Sequence, residues 1–228
     1  MIWERLIKWS EETIKIFDEH LEEYQEPGME RFNKEEFGWV NRTWRNEHIR
    51  RAHLDIVDCR NTKKMWMAHC VMLPELTNGG PIYGFDIIAG QKMVTGAFHD
   101  FSPLLNKEHP LTTWFVEENK WFKPSKPREL PDWALKIFSP GMIAAGFIKE
   151  EEELNQVCTL AASNMRNYID KIGAHHGEAK REDVVKAHNF YAENQRKNPH
   201  TPRVMKSLGL PEEDIDLFCK DNLFPTVV

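Results

Sequence analysis

"PIYGFDIIAGQKMVTGAFHDFSP", residues 81–103, decides how this chain folds. Two β-branched and aromatic runs flank Gly90-Gln91, the pattern of antiparallel strands joined by a tight turn. With a two-residue turn, Ala89 faces Lys92 and Asp86 pairs with Thr95, placing a carboxylate and a hydroxyl on one side of a sheet. Asp86 is out of place among Tyr83, Phe85, Ile87 and Ile88. An unpaired buried charge costs several kcal/mol, so the residue needs a partner or a task.

Outward from this hairpin the two-residue period continues. Between Gly38 and Asp100 it predicts antiparallel strands at 49–58, 65–73, 82–89 and 92–100, with a further strand at 142–148. Upstream, Ile2, Trp3, Leu6, Ile14, Phe17, Leu21 and Tyr24 form one helical stripe that ends at Pro27-Gly28. Residues 104–135, rich in Pro, Lys and Trp, are expected to wrap the sheet as loop with short helix. Helical spacing returns at 150–172, with Gly173 as a stop, and again at 178–197 and 211–221 around the Pro-broken segment 198–202. Helices before and after an antiparallel sheet predict an α/β fold, a three-layer α/β/α sandwich formed as a single domain over 1–228.

Composition limits the possible partners. The chain is 41% apolar, with eight Trp and thirteen Phe, which excludes disorder and implies an aromatic interior. A net charge of −6 argues against nucleic acid. Two local exceptions, Arg42–Arg51 and Lys120–Arg128, each hold four cations and read either as solvated loop charge or as a docking patch. Cys59, Cys70, Cys158 and Cys219 are scattered without metal-ligand spacing, as expected of reduced thiols. The charged N-terminus reads as neither a secretory signal nor a membrane span, so a cytoplasmic protein without a membrane partner is expected. Dinucleotide, P-loop, serine-hydrolase and H-E-x-x-H signatures are all missing, which disfavours nucleotide-dependent redox and hydrolase chemistry.

What remains is a set of ionisable side chains within apolar strands. Alternation puts His53 and Asp55 on one face, with Ala52, Leu54 and Ile56 on the other. His69 joins that face if the turn near 59–63 has an odd residue count. Burial raises a carboxyl pKa and lowers that of an imidazole, while mutual attraction does the reverse, so a buried Asp/His pair can share a proton near neutral pH. That is what proton-transfer chemistry requires. The bland alternative is a satisfied core histidine. Metal binding by His53, Asp55, His69 and Asp86 is a further rival, disfavoured because no short ligand spacing occurs.

Four stretches carry a resemblance: HCVMLPELTNGGPIYGFDIIAG (69–90), AFHDFSP (97–103), RELPDW (128–133) and QRKNPHTPRVM (195–205). Together they resemble the ferredoxin-dependent bilin reductases. The likeness is closest to the phycocyanobilin:ferredoxin oxidoreductase branch and its phage-encoded, phycoerythrobilin-forming relatives. The resemblance implies reduction of biliverdin, an open-chain tetrapyrrole, by single electrons from reduced [2Fe-2S] ferredoxin. It implies no bound redox cofactor, no metal and a monomer. It further implies catalytic roles for Asp86 and His69, support from Asp55 and His53, and substrate contacts from Thr95, Arg128, Asn198 and His200. Two departures from the family pattern stand out. Asp55 replaces a Glu that takes part in vinyl reduction in phycocyanobilin-forming members, shortening its reach by about 1.5 Å. Pro199 stands where relatives often carry Asp, and His200 where a Lys may hold a propionate. Phycoerythrobilin is therefore the expected product, phycocyanobilin the second choice and a non-catalytic bilin carrier the third. Because ferredoxin is acidic, the two basic segments acquire a steering role in a transient, electrostatic complex.

Overall fold

The computed structural model describes residues 2–228. Helix α1 (Ile2–His20) precedes strands β1 (Glu22–Tyr24), β2 (Trp39–Arg45), β3 (Ile49–Cys59), β4 (Met65–Pro74), β5 (Ile82–Gly90) and β6 (Val94–Ser102). Helices α2 (Pro110–Asn119) and α3 (Asp132–Leu135) lead to strand β7 (Ile143–Ile148). The chain closes with α4 (Glu151–Ile172), α5 (Arg181–Gln195), α6 (His200–Ser207) and α7 (Glu212–Leu217), the last continuing into one π-helical turn at 218–223. All seven strands form one antiparallel sheet in chain order. Short connections explain that order, because an antiparallel neighbour needs only a hairpin.

Period-two alternation sends residues to two separate cores. Ala52, Leu54, Phe85, Ile87 and Phe101 meet α1, α2 and α4 on one face. Val57, Met67, Val71 and Ile82 meet α5, α6, α7 and the turn carrying Phe32 on the other. The result is the expected α/β/α sandwich. No helix among the described residues is long and apolar enough to cross a membrane.

Four details depart from the sequence reading. Helix α1 stops at His20, and Tyr24 belongs to a strand: β1 pairs with β2, the Thr43 hydroxyl donates to the Tyr24 carbonyl at 2.6 Å, and Arg42 pairs with Glu23. Pairing captures the chain before Pro27 can end the helix. Strand β2, not delimited above, is obscured because its buried positions include the polar Asn41 and Thr43. The β5–β6 turn is longer than two residues. The Gly90 amide donates to the Met93 carbonyl, Ala89 faces Val94, and a bulge then sets Ile88 opposite Gly96, so Asp86 lies across from Phe98 and not Thr95. Finally, α6 occupies the segment expected to be broken by prolines. Pro202 falls in its first turn, where the missing amide hydrogen is not needed.

Candidate active site

One row crosses four strands: Asn41 on β2 opposes Asp55 on β3, Asp55 opposes His69 on β4, and His69 opposes Asp86 on β5. The β3–β4 turn spans Cys59 to Met65, leaving five residues between the paired ends, and that odd count puts His69 on the Asp55 face. His53 shares the face one step along β3, directly opposite Thr43.

Each group is held differently. The Asn41 amide nitrogen is anchored on the Phe32 carbonyl, so its oxygen meets His53 Nε2 at 3.0 Å and fixes the His53 proton on that nitrogen. His53 is fully buried, behind the cavity wall, with its ring 6.4 Å from that of His69. Trp39 Nε1 donates to Asp55, which is 1% exposed. His69 packs edge-on against Phe224 at 5.7 Å, and its Nδ1 has no protein partner. Asp86 and His69 are both partly exposed to a cavity.

Burial sets the protonation of the row. It pushes Asp86 up to about 7. It also lifts Asp55 to about 7, helped by the neighbouring Asp86 charge and opposed by the Trp39 bond. Burial together with the Arg51 charge lowers His69 to about 4, and His53 falls well below its ordinary range for the same reasons plus its proximity to His69. At neutral pH the imidazoles are therefore neutral, and the labile protons reside on the two carboxyls.

The cavity measures about 660 Å³, within the range of small-molecule sites. Its sheet floor includes Asp55, Met67, His69, Asp86, Ile88 and Phe98, and it is closed by residues 128–134, 197–201 and 223–224. Thr95, Arg128, Asn198 and His200 all line it. Thr95 does so as the bulge residue, its hydroxyl donating to the Ile88 carbonyl at 3.1 Å. Arg128 Nη2 donates to the Thr95 carbonyl at 2.6 Å, and its guanidinium lies over Phe147 at 5.3 Å. Gly146 makes room for this side chain, since a Cβ there would come within 2.7 Å of Arg128 Nε. Asn198 Oδ1 accepts the His200 amide at the start of α6, so its side chain orders the turn as well as facing the cavity.

The basic segments separate. In Arg42–Arg51 three of the four cations serve the fold, while Arg45 is exposed over the Tyr24 ring: Arg51 is 3% exposed and holds Glu26 and the Asn222 carbonyl, Arg50 contacts His188, and Arg42 binds Glu23. That segment is not a free docking patch. Lys120, Lys123 and Lys126 are exposed, beside exposed Trp121 and Phe147.

One acid escaped the sequence reading. Asp100, in the HDFSP stretch, lines the cavity and is 2% exposed. Its carboxylate accepts from the Ser139 amide, the Ser139 hydroxyl and the Ser102 hydroxyl, and burial still raises it to about 6. A two-residue turn would have put Ala97 and His99 on the Asp86 face; the bulge at Thr95 exchanges them for Phe98 and Asp100. The adjacent His99 points to the other core, donating to the Gly84 carbonyl at 2.7 Å and accepting from Asn164. It is the satisfied core histidine that the bland reading describes.

A seven-stranded antiparallel meander between helical layers carries a carboxyl–imidazole–carboxyl row facing a ligand-sized cavity, an arrangement fitted to proton transfer on a bound small molecule. The model of the family "Ferredoxin-dependent bilin reductase" matches residues 4–225, and the chain belongs to that family. A solved structure of PcyX is 56% identical, covers 98% of this chain and 99% of its own, and superposes with a TM-score of 0.76. Phytochromobilin synthase from tomato, solved in complex with biliverdin, is 16% identical and shares the fold with a TM-score of 0.70, covering 95% of this chain and 82% of its own. Among curated relatives, the phycocyanobilin:ferredoxin oxidoreductase of Gloeobacter violaceus is 26% identical over 73% of this chain and 66% of its own length. That of Trichodesmium erythraeum is 25% identical over 75% of this chain and 70% of its own. The aligned region thus spans about two thirds of these curated relatives.

Proposed function

We propose that the chain reduces biliverdin to phycoerythrobilin, taking electrons singly from reduced ferredoxin. The observation that carries this reading is the Asp55–His69–Asp86 row on the floor of a mostly apolar cavity. The reaction takes four electrons and four protons, two of each for each reduced unit of the conjugated chain. The first electron of each pair leaves a radical anion that a nearby acid protonates to a neutral radical, and the second converts that radical to a closed-shell anion that takes the second proton. Asp86 is the proposed donor and the partner of the bilin nitrogens or lactam end. The neutral His69 ring takes up a proton at one nitrogen as it releases one from the other, relaying toward Asp86 and the substrate protons that come from Asp55 and, for the four in all, from solvent. An apolar wall favours the protonated carboxyl until charge arrives on the substrate, which then draws the proton off.

Arg128 is the proposed partner of a propionate, because its planar fork can bond both carboxylate oxygens. Thr95, Asn198 and His200 complete the polar contacts. Asp55 supports the row but is tied back by Trp39, which together with its short side chain disfavours protonation of a vinyl group at the far end of the substrate. Pro199 supplies no acid from the α6 side, so both reductions depend on the sheet residues. Lys123 and Lys126 form the proposed docking face for ferredoxin, with Lys120 beside them paired to Glu117.

Phycocyanobilin is the second reading, favoured by the names of the curated relatives. A carrier without turnover is disfavoured because binding alone does not call for acids poised near neutral pH. An anaerobic assay with biliverdin, ferredoxin and a reductant tests the proposal, with the product separated by chromatography. Phycoerythrobilin is expected. Phycocyanobilin would select the second reading, and an unchanged biliverdin spectrum would leave only the carrier.

A further inference from the structure

On the opposite side of the sheet from the cavity, two histidines and a glutamate meet where no role has been assigned. His109 precedes α2, His175 ends the single turn that follows α4, and Glu178 comes three residues later. One ligand atom from each lies within 4.8 Å of the other two. The imidazole rings of His109 and His175 are 4.3 Å apart, edge to face, and His175 Nδ1 sits 3.0 Å from a Glu178 oxygen. His109 is 5% exposed, and its Nε2 is buried with no protein partner. A buried polar atom left without a partner calls for an explanation, and a bound ion is one.

We infer that His109, His175 and Glu178 form a site for a divalent cation of the zinc class. Two imidazole nitrogens and one carboxylate oxygen, with water in the fourth position, match the tetrahedral preference of zinc. The donor set lacks the all-oxygen cage of magnesium or calcium and the thiolates of copper(I). The C-terminal end of α4 lies beside the site, and the negative end of a helix favours a cation.

Loading requires one rearrangement. His109 Nδ1 now accepts the Leu111 amide hydrogen at 3.2 Å, which places the imidazole proton on Nε2. Metal binding moves that proton to Nδ1 and gives up this long hydrogen bond. The ion would act as a clip, joining the start of α2 to the end of α4, segments 66 positions apart in the chain (109 to 175). None of the three residues lines the bilin cavity, so the clip is independent of turnover.

The test uses the untagged full chain, stripped with chelator and titrated with zinc by calorimetry and thermal melting. One zinc per chain is expected, with the melting temperature raised by roughly 5–10 °C at a hundredfold excess over Kd. Magnesium should do nothing. The double variant His175→Gln/Glu178→Gln keeps bulk at the part-buried His175 and changes the exposed Glu178, and it should lose the zinc response, read as the shift from its own metal-free melting temperature. Cobalt(II) in the unaltered protein should give the visible spectrum of a tetrahedral nitrogen–oxygen site. Zinc binding that survives in the double variant would overturn the inference, as would absence of binding or an octahedral cobalt spectrum.

Discussion

His69 stands directly across the β4–β5 ladder from Asp86, with both side chains on the cavity face. Directly opposed residues on adjacent strands have Cβ atoms about 5 Å apart, and with His69 Nδ1 free of protein partners a proton can pass between the two through one bridging group. The functional consequence is a donor with a proton relay beside it on the same face.

Asp86→Asn keeps the shape and removes the acid. Complete turnover should fall by about 10²–10⁴, the usual contribution of a positioned general acid. Biliverdin affinity should change by less than about tenfold. Absorbance titration of binding and anaerobic turnover check the two arms separately, and His69→Asn should behave in the same way.

The rate should depend on pH through Asp86. With its pKa near 7, single-turnover rates at saturating reductant should hold below pH 7 and decline above it. Stability follows the same sign. The folded pKa lies above the ordinary 3.8, so the folded chain binds more protons between about pH 4 and 7. The Asp86 contribution is fully present below that window and lost as pH rises through 7. Asp86→Asn should therefore gain on the unaltered chain between pH 5 and 8, by a few kcal/mol at most because the group faces a cavity. Urea midpoints at the two pH values measure it, and a gain at acid pH would contradict the assignment.

Asp55 is pinned by Trp39, and Asp55→Asn can still accept that hydrogen bond. A loss of only about tenfold in rate is expected, well short of the cost of removing a general acid, with the product unchanged on chromatography. Complete inactivation would move the principal donor from Asp86 to Asp55.

Arg128→Gln removes a charge-assisted contact worth about 1.5–3 kcal/mol, or roughly 10–100-fold in affinity. The effect should fall on KM for biliverdin more than on kcat. Arg128→Lys should recover only part of it, because an ammonium cannot reproduce the fork.

Ferredoxin KM should rise with ionic strength, since exposed charges are screened within about 10 Å at 0.1 M salt. Lys123→Glu with Lys126→Glu should raise KM at low salt and flatten its salt dependence. Charge reversal at Arg45, an exposed cation of the other basic segment, should leave ferredoxin KM unchanged.

The alternation of apolar residues made the meander legible, and the five-residue β3–β4 turn turned a conditional placement of His69 into a cross-strand pair with Asp55. Register was legible only as far as turn length was. The bulge near Thr95 shifted the partner of Asp86 to Phe98, because one extra residue leaves no mark in a period-two pattern. The same bulge hid Asp100, which under a two-residue turn falls on the face away from Asp86. The Arg42–Arg51 cluster misled because charge in sequence does not distinguish a surface patch from arginines consumed by Glu23, Glu26 and the Asn222 carbonyl.

The central claim is that Asp86, opposite His69, delivers the proton that neutralises each one-electron-reduced bilin and readies it for the next electron. Electron paramagnetic resonance of the Asp86→Asn variant with bound biliverdin, reduced anaerobically by ferredoxin, tests it most directly. An organic radical should build up toward one spin per chain and persist while the unaltered protein runs on to product. Product formation by the variant at the unaltered rate, with no radical accumulating, would contradict it.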